Sequence, residues 1–106
     1  MTSSRIDIFK QILESDPENS AVLFGLAKEY EKSGDLDQMI VILRRYVEKA
    51  DDEGNAYGML ARAYGQKGEH ALAKEAYERG ISAAVAHGHP GMAEDFRMML
   101  ASEYED

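Results

Sequence analysis

The 106-residue chain predicts an all-α fold of about six helices, arranged as antiparallel pairs. Three observations carry this. The first is a repeat: Leu26-Ala27-Lys28-Glu29-Tyr30 recurs as Leu60-Ala61-Arg62-Ala63-Tyr64, an offset of 34 residues. Self-similarity at such a period marks stacked supersecondary units. The second is the apolar period. Leu23, Leu26, Ala27 and Tyr30 fall at i, i+3, i+4 and i+7, as do Tyr57, Leu60, Ala61 and Tyr64, which is one face of a helix. The third is punctuation. Gly34 and Gly68 stand at the same phase of the repeat, where a glycine ends a helix in the left-handed conformation. No alternating strand pattern of useful length occurs.

The elements follow in order. Ser4-x-x-Asp7 opens a first helix that stops before Asp16-Pro17, because a residue preceding proline avoids the helical region. Its apolar stripe is Ile8, Phe9, Ile12 and Leu13, and at the 34-residue offset Phe9 matches Leu43. This helix is the second half of a truncated unit spanning residues 1–17. Residues 20–53 form the first full unit. After Gly34, Asp35 caps its second helix with Gln38 as the partner of a capping box, and Met39, Ile42, Leu43 and Tyr46 form the inner stripe. Residues 54–87 form the second full unit, with Ala73, Ala76, Tyr77 and Gly80 as the inner stripe of its second helix. Gly88-His89-Pro90-Gly91 is a break, with Pro90 at a first helical position. Residues 88–106 then supply a last amphipathic helix with Met92, Ala93, Phe96, Met99 and Leu100 inward, followed by a polar tail. Together these make a single domain.

Composition excludes several classes of function. Twelve Lys and Arg against twenty Asp and Glu give a formal net charge of −8. A broad grip on a nucleic-acid backbone requires the opposite sign. No apolar run approaches the ~18 residues of a membrane helix, and charges interrupt the N-terminal apolar stretch, so no signal peptide is expected. Cysteine is absent, which removes disulfides, thiolate metal sites and a thiol nucleophile and fits a cytoplasmic protein.

The residues quoted above resemble the tetratricopeptide repeat, a helix–turn–helix unit of 34 residues. The family's first-helix pattern, large-x-x-Leu-(Gly/Ala)-x-x-Tyr, reads Leu23-x-x-Leu26-Ala27-x-x-Tyr30 and Tyr57-x-x-Leu60-Ala61-x-x-Tyr64 here. Its second-helix pattern is matched by Ala73, Tyr77 and Gly80, and Asp16-Pro17 resembles the usual closing dipeptide. The likeness spans roughly residues 5 to 87. In the last helix Glu94 and Asp95 stand where Leu and a small residue belong, and a shift of two residues restores Met92-Ala93-x-x-Phe96. That helix reads as a cap covering the end of the repeat stack. The resemblance implies a right-handed superhelix of antiparallel helix pairs: a half repeat, two full repeats and a capping helix.

The resemblance further implies that the first helices line a concave surface that binds peptides. Its lining in this chain would include Phe24, Gly25, Lys28, Lys32, Asn55, Gly58, Met59 and Arg62. Lys28, Lys32 and Arg62 are cationic, with Glu31 the only opposing charge on that face. Gly25 and Gly58 cost about 1 kcal/mol each against alanine inside a helix, a cost accepted where a backbone must be approached closely. The expected function is a non-catalytic adaptor or scaffold that binds an extended acidic or C-terminal peptide of a partner protein. Arg62 is the foremost candidate, because a guanidinium holds a carboxylate bidentately. The alternative is self-association through Ile8, Phe9 and Ile12 or through Met92, Phe96 and Met99, giving a weak homodimer in place of a monomer. Some members of the family clamp the tails of heat-shock chaperones with Lys and Asn side chains. Phe24 and Met59 occupy those places here, which argues against such an adaptor.

No other chemistry is expected. His87-x-His89 lacks a convergent third ligand and reads as a solvated turn. Asp51-Asp52-Glu53-Gly54 fails the calcium-loop pattern and reads as negative charge before a helix. No nucleophile elbow, P-loop or dinucleotide fingerprint occurs, so neither an enzyme nor a cofactor is expected.

Overall fold

A computed structural model describes residues 4–104. The first three residues and the last two of the expected polar tail, Glu105 and Asp106, lie outside the described residues. Among the described residues there are six α-helices, a short π-helical turn and no strand. The chain divides into two compact units, one reaching Ala50 and the other starting at Asp51.

The first unit holds α1 (Arg5–Ser15), α2 (Ser20–Ser33) and α3 (Leu36–Lys49). Its helices begin where the caps place them. Ser4 accepts the Asp7 N–H at 3.1 Å. Asn19 accepts the Val22 N–H at 3.1 Å and so satisfies one orphan donor of α2. Gly34 adopts φ +76 and ends α2. Asp35 accepts the Gln38 N–H at 3.2 Å. The expected capping box is only half made, because the Asp35 N–H already goes to the Tyr30 carbonyl at 3.0 Å.

The apolar stripes of α2 and α3 are buried as their periodicity requires. Leu23, Leu26, Ala27 and Tyr30 of α2 and Met39, Ile42 and Leu43 of α3 all lie in the core. Full burial stabilises each large side chain of this kind by about 1.5–3 kcal/mol. The stripe of α1 divides. Leu13 is buried and the Phe9 ring lies over Gly25, where an added Cβ would meet it at 3.1 Å. Ile8 and Ile12 stay at the surface, 45% and 37% exposed. Arg45 donates to the Pro17 carbonyl at 3.0 Å and Lys49 pairs with Glu18 at 2.9 Å, so the α1–α2 loop is held by α3.

The second unit holds α4 (Asn55–Gln66), α5 (His70–Ala86), α6 (Pro90–Met99) and the π turn (Leu100–Tyr104). Leu60, Ala61 and Tyr64 of α4 and Ala73, Ala76, Tyr77 and Gly80 of α5 are buried. Gly68, at φ +77, gives the left-handed turn expected between them. Pro90 begins α6. Ala93 and Phe96 are buried while Glu94 and Asp95 are exposed, which is the two-residue shift inferred for this helix. The Phe96 ring sits between two glycines: an added Cβ would meet it at 2.9 Å on Gly58 and at 2.8 Å on Gly80. It also lies 5.5 Å from the Tyr77 ring.

The connection ahead of α4 carries more structure than its charge suggests. One carboxylate oxygen of Asp52 accepts both the Gly54 N–H at 2.8 Å and the Ala56 N–H at 2.9 Å. Gly54 adopts φ +131, and an added Cβ would fall 2.5 Å from the Met92 sulfur. Asp51 bonds His87 at 3.1 Å, and Glu53 bonds His89. Two histidine–carboxylate pairs therefore join this connection to the α5–α6 turn.

Two outcomes follow. Asp52→Ala removes the only side-chain cap of α4 among the described residues and lowers unfolding stability by about 1 kcal/mol; urea denaturation measures this, and Asp52→Asn keeps most of it. The hydrogen bond from His89, with its charge, holds the Glu53 carboxyl below its ordinary value of 4.5. The folded form therefore gains stability above that value and loses it as pH falls through the lowered one. In thermal melts across pH, the advantage of wild type over Glu53→Gln should shrink through this acid window. A gap that stays constant into strong acid contradicts the assignment.

Candidate functional site

In the second unit the exposed guanidinium of Arg62 borders a cleft of about 350 Å3. Arg62, Gly65 and Gln66 come from α4, His70 and Tyr77 from α5, Met99 from α6, and Glu103 and Tyr104 from the π turn. The floor is fixed by Tyr77, which is 2% exposed. Burial pushes its hydroxyl above the ordinary tyrosine value, and the nearby Arg62 charge pulls the other way. Tyr104 forms one wall. Its hydroxyl lies 2.6 Å from where a Cβ on Gly65 would stand. Its ring is 5.8 Å from His70 and 6.0 Å from Tyr77, tilted against both. Burial and the neighbouring Glu103 raise its hydroxyl too.

In the first unit Lys28 lies 5.8 Å over the Phe24 ring, and Phe24 packs 5.1 Å from Tyr46. A cation held over an aromatic face at an exposed position gains about 0.5–1 kcal/mol. Lys32 is differently placed. Its ammonium pairs with Glu29 at 3.3 Å, and Arg5 reaches the same carboxylate at 3.1 Å. Glu29 is largely buried, at 14% side-chain exposure.

These positions sort the residues named from the sequence. Lys28, Lys32, Asn55 and Arg62 are exposed, and Phe24 is half-buried. Met59 is in the core at 5% exposure and has little surface to offer a ligand. Gly25 and Gly58 admit the chain's own Phe9 and Phe96 rings, so the close approach they permit is internal. The expectation that Glu31 alone opposes the cations needs correcting. Glu29 pairs with Lys32 as well as with Arg5, and Glu103 lines the cleft with Arg62. Sequence periodicity missed both because Glu29 follows Lys28 off the counted face and Glu103 comes from a π turn that no helical pattern marks. His87 and His89 each bond a carboxylate, and among the described residues no group of three or more His, Cys, Asp or Glu side chains is placed to hold a metal ion. Among the described residues, no helix is long and apolar enough to cross a membrane.

Comparison with known proteins bears on the family. Tetratricopeptide-repeat profiles match residues 6–63 and residues 54–84. A TPR repeat-containing protein of Pseudomonas aeruginosa is 27% identical over 95 residues, which cover 90% of each chain. The paired helices, the glycine turns at one phase and these matches agree, and the chain belongs to the tetratricopeptide-repeat family.

Proposed function

We propose that this protein is an adaptor whose two full repeats hold an extended acidic segment of a partner protein. The coarser part rests on the family, whose repeats are generally non-catalytic protein–protein interaction modules. The finer part rests on one observation above all: Arg62 stands exposed at the rim of a cleft whose other walls are aromatic, amide and thioether groups with one carboxylate, that of Glu103. A planar guanidinium beside an apolar wall suits a carboxylate that neighbours an apolar side chain. Lys28 offers the first repeat's equivalent, an ammonium carried on an aromatic platform formed by Phe24 and Tyr46. Asn55, exposed at the start of α4, is available to the backbone of the same peptide. Lys32 contributes less, since Glu29 already pairs with it.

The alternative, self-association, now favours one of its two surfaces. Phe96 is spent between Gly58 and Gly80, whereas Ile8 and Ile12 are exposed on α1.

Charge reversal tests the primary reading. Lys28→Glu and Arg62→Glu, singly and together, should leave helical circular dichroism and melting unchanged, because both side chains are exposed. In quantitative affinity capture from the source lysate, each should weaken binding of a partner about 10- to 150-fold, as expected for one charge-assisted hydrogen bond of about 1.5–3 kcal/mol. Identical capture by wild type and the double variant would overturn the assignment.

A further inference from the structure

One wall of the cleft beside Arg62 is the aromatic side chain of Tyr104, seated over Gly65. Residues 100–104 leave the α-helical path after Met99 and continue as a π-helical turn. That turn carries Tyr104 onto α4 and α5, where the phenol fills the space that the missing Cβ of Gly65 leaves open. The ring packs against the rings of His70 and Tyr77. Glu103, next to it, lines the same cleft as Arg62. An aromatic side chain flanked by a carboxylate thus rests on a glycine and two rings, in a cleft that Arg62 borders.

We propose that residues 103–104 are an internal ligand of this cleft, and that the external partner carries the same chemistry: a tyrosine or phenylalanine beside acidic residues. The proposal deepens the reading of Arg62 given above and rests on it. Three observations select this ligand chemistry. Gly65 is the one cleft residue whose lack of a side chain is used, and what uses it is an aromatic hydroxyl. The ring partners are already in place on α5. The residue before this tyrosine, Glu103, is acidic and lines the same cleft. About 350 Å3 of the cleft remains open beside Tyr104, so a longer external peptide finds room that the internal segment does not fill.

The arrangement also sets the regulation. A tethered ligand competes at an effective concentration of about 1 mM. An external peptide of equal chemistry therefore binds weakly until the tether is displaced, and one that also fills the remaining space displaces it.

The probe is a synthetic peptide of the chain's own residues 101–106, Ala-Ser-Glu-Tyr-Glu-Asp. It is titrated into 15N-labelled full-length protein while the amide signals of Arg62, Gly65, Gln66 and His70 are followed. Tyr104→Ala vacates the site, and its fold is checked by helical circular dichroism. The probe should shift these signals in Tyr104→Ala at least tenfold more readily than in wild type. A probe with alanine in place of its tyrosine should not shift them. Tyr104→Ala/Gly65→Ala should lose the response, since the added Cβ occupies the phenol's place. Equal titration of wild type and Tyr104→Ala, or no shift in a folded Tyr104→Ala at several times ~1 mM probe, would overturn the proposal. The two readings fail separately. If charge reversal at Arg62 abolishes partner capture while the probe ignores Tyr104→Ala, the internal ligand is wrong and the acidic-peptide reading stands. If the probe binds as expected but capture survives charge reversal, the internal ligand stands and the acidic-peptide reading falls.

Discussion

The ring of Phe96 lies between Gly58 of α4 and Gly80 of α5, and the second unit is closed around it. Glycine inside a helix is unfavourable by about 1 kcal/mol relative to alanine. Two such positions facing one ring are intelligible only if the ring needs the room. Burying a phenylalanine stabilises by about 1.5–3 kcal/mol, and its tilted contact with Tyr77 adds about 0.5–1.5 kcal/mol. The balance favours the close approach. It brings α6 against the repeat pair, covers an apolar face that the pair cannot bury alone, and so sets where the chain goes after Met99. The position of Tyr104 on Gly65 follows from that path. In the first unit Phe9 meets Gly25 in the same manner, from the other flanking helix.

The connection before α4 supports this packing from the opposite end. Asp52 fixes the first turn of α4, Gly54 lets the backbone turn beneath Met92, and the pairs Asp51–His87 and Glu53–His89 join the connection to the turn that launches α6. Both histidine pairs are partly exposed, so each is worth little alone. Their value is positional: they hold the start of α4 and the start of α6 to one another.

Much of the fold was legible because it is carried by periodic, local signals. The helices start and stop at Ser4, Asp16, Gly34, Gly68 and Pro90 as caps and breakers dictate, and the i, i+3, i+4 stripes are the buried ones. What escaped was non-local or non-periodic. Nothing local marks Gly58 as the seat of a side chain 38 positions away. The π turn departs from the period on which the reading depends. Asp52 caps through a backbone turn at Gly54 that charge counting cannot see. The site was legible in part. Lys28 and Arg62 are exposed as the repeat phase requires, yet Met59 is buried by packing that no local signal marks, and Lys32 pairs with Glu29 three residues back on α2, off the face that was counted.

Gly58 and Gly80 lack side chains because Phe96 takes that space. Urea denaturation of Gly58→Ala tests this by sign. Helix propensity alone makes this substitution stabilising by about 1 kcal/mol. The Phe96 ring, pinned on its far side by Gly80, cannot retreat from the new Cβ. Gly58→Ala should therefore be destabilising by about 1–3 kcal/mol, as overpacking costs in a filled core, and adding Phe96→Leu should remove most of the penalty of the new Cβ. A Gly58→Ala protein more stable than wild type, or one whose penalty is the same with leucine at position 96, would contradict the account.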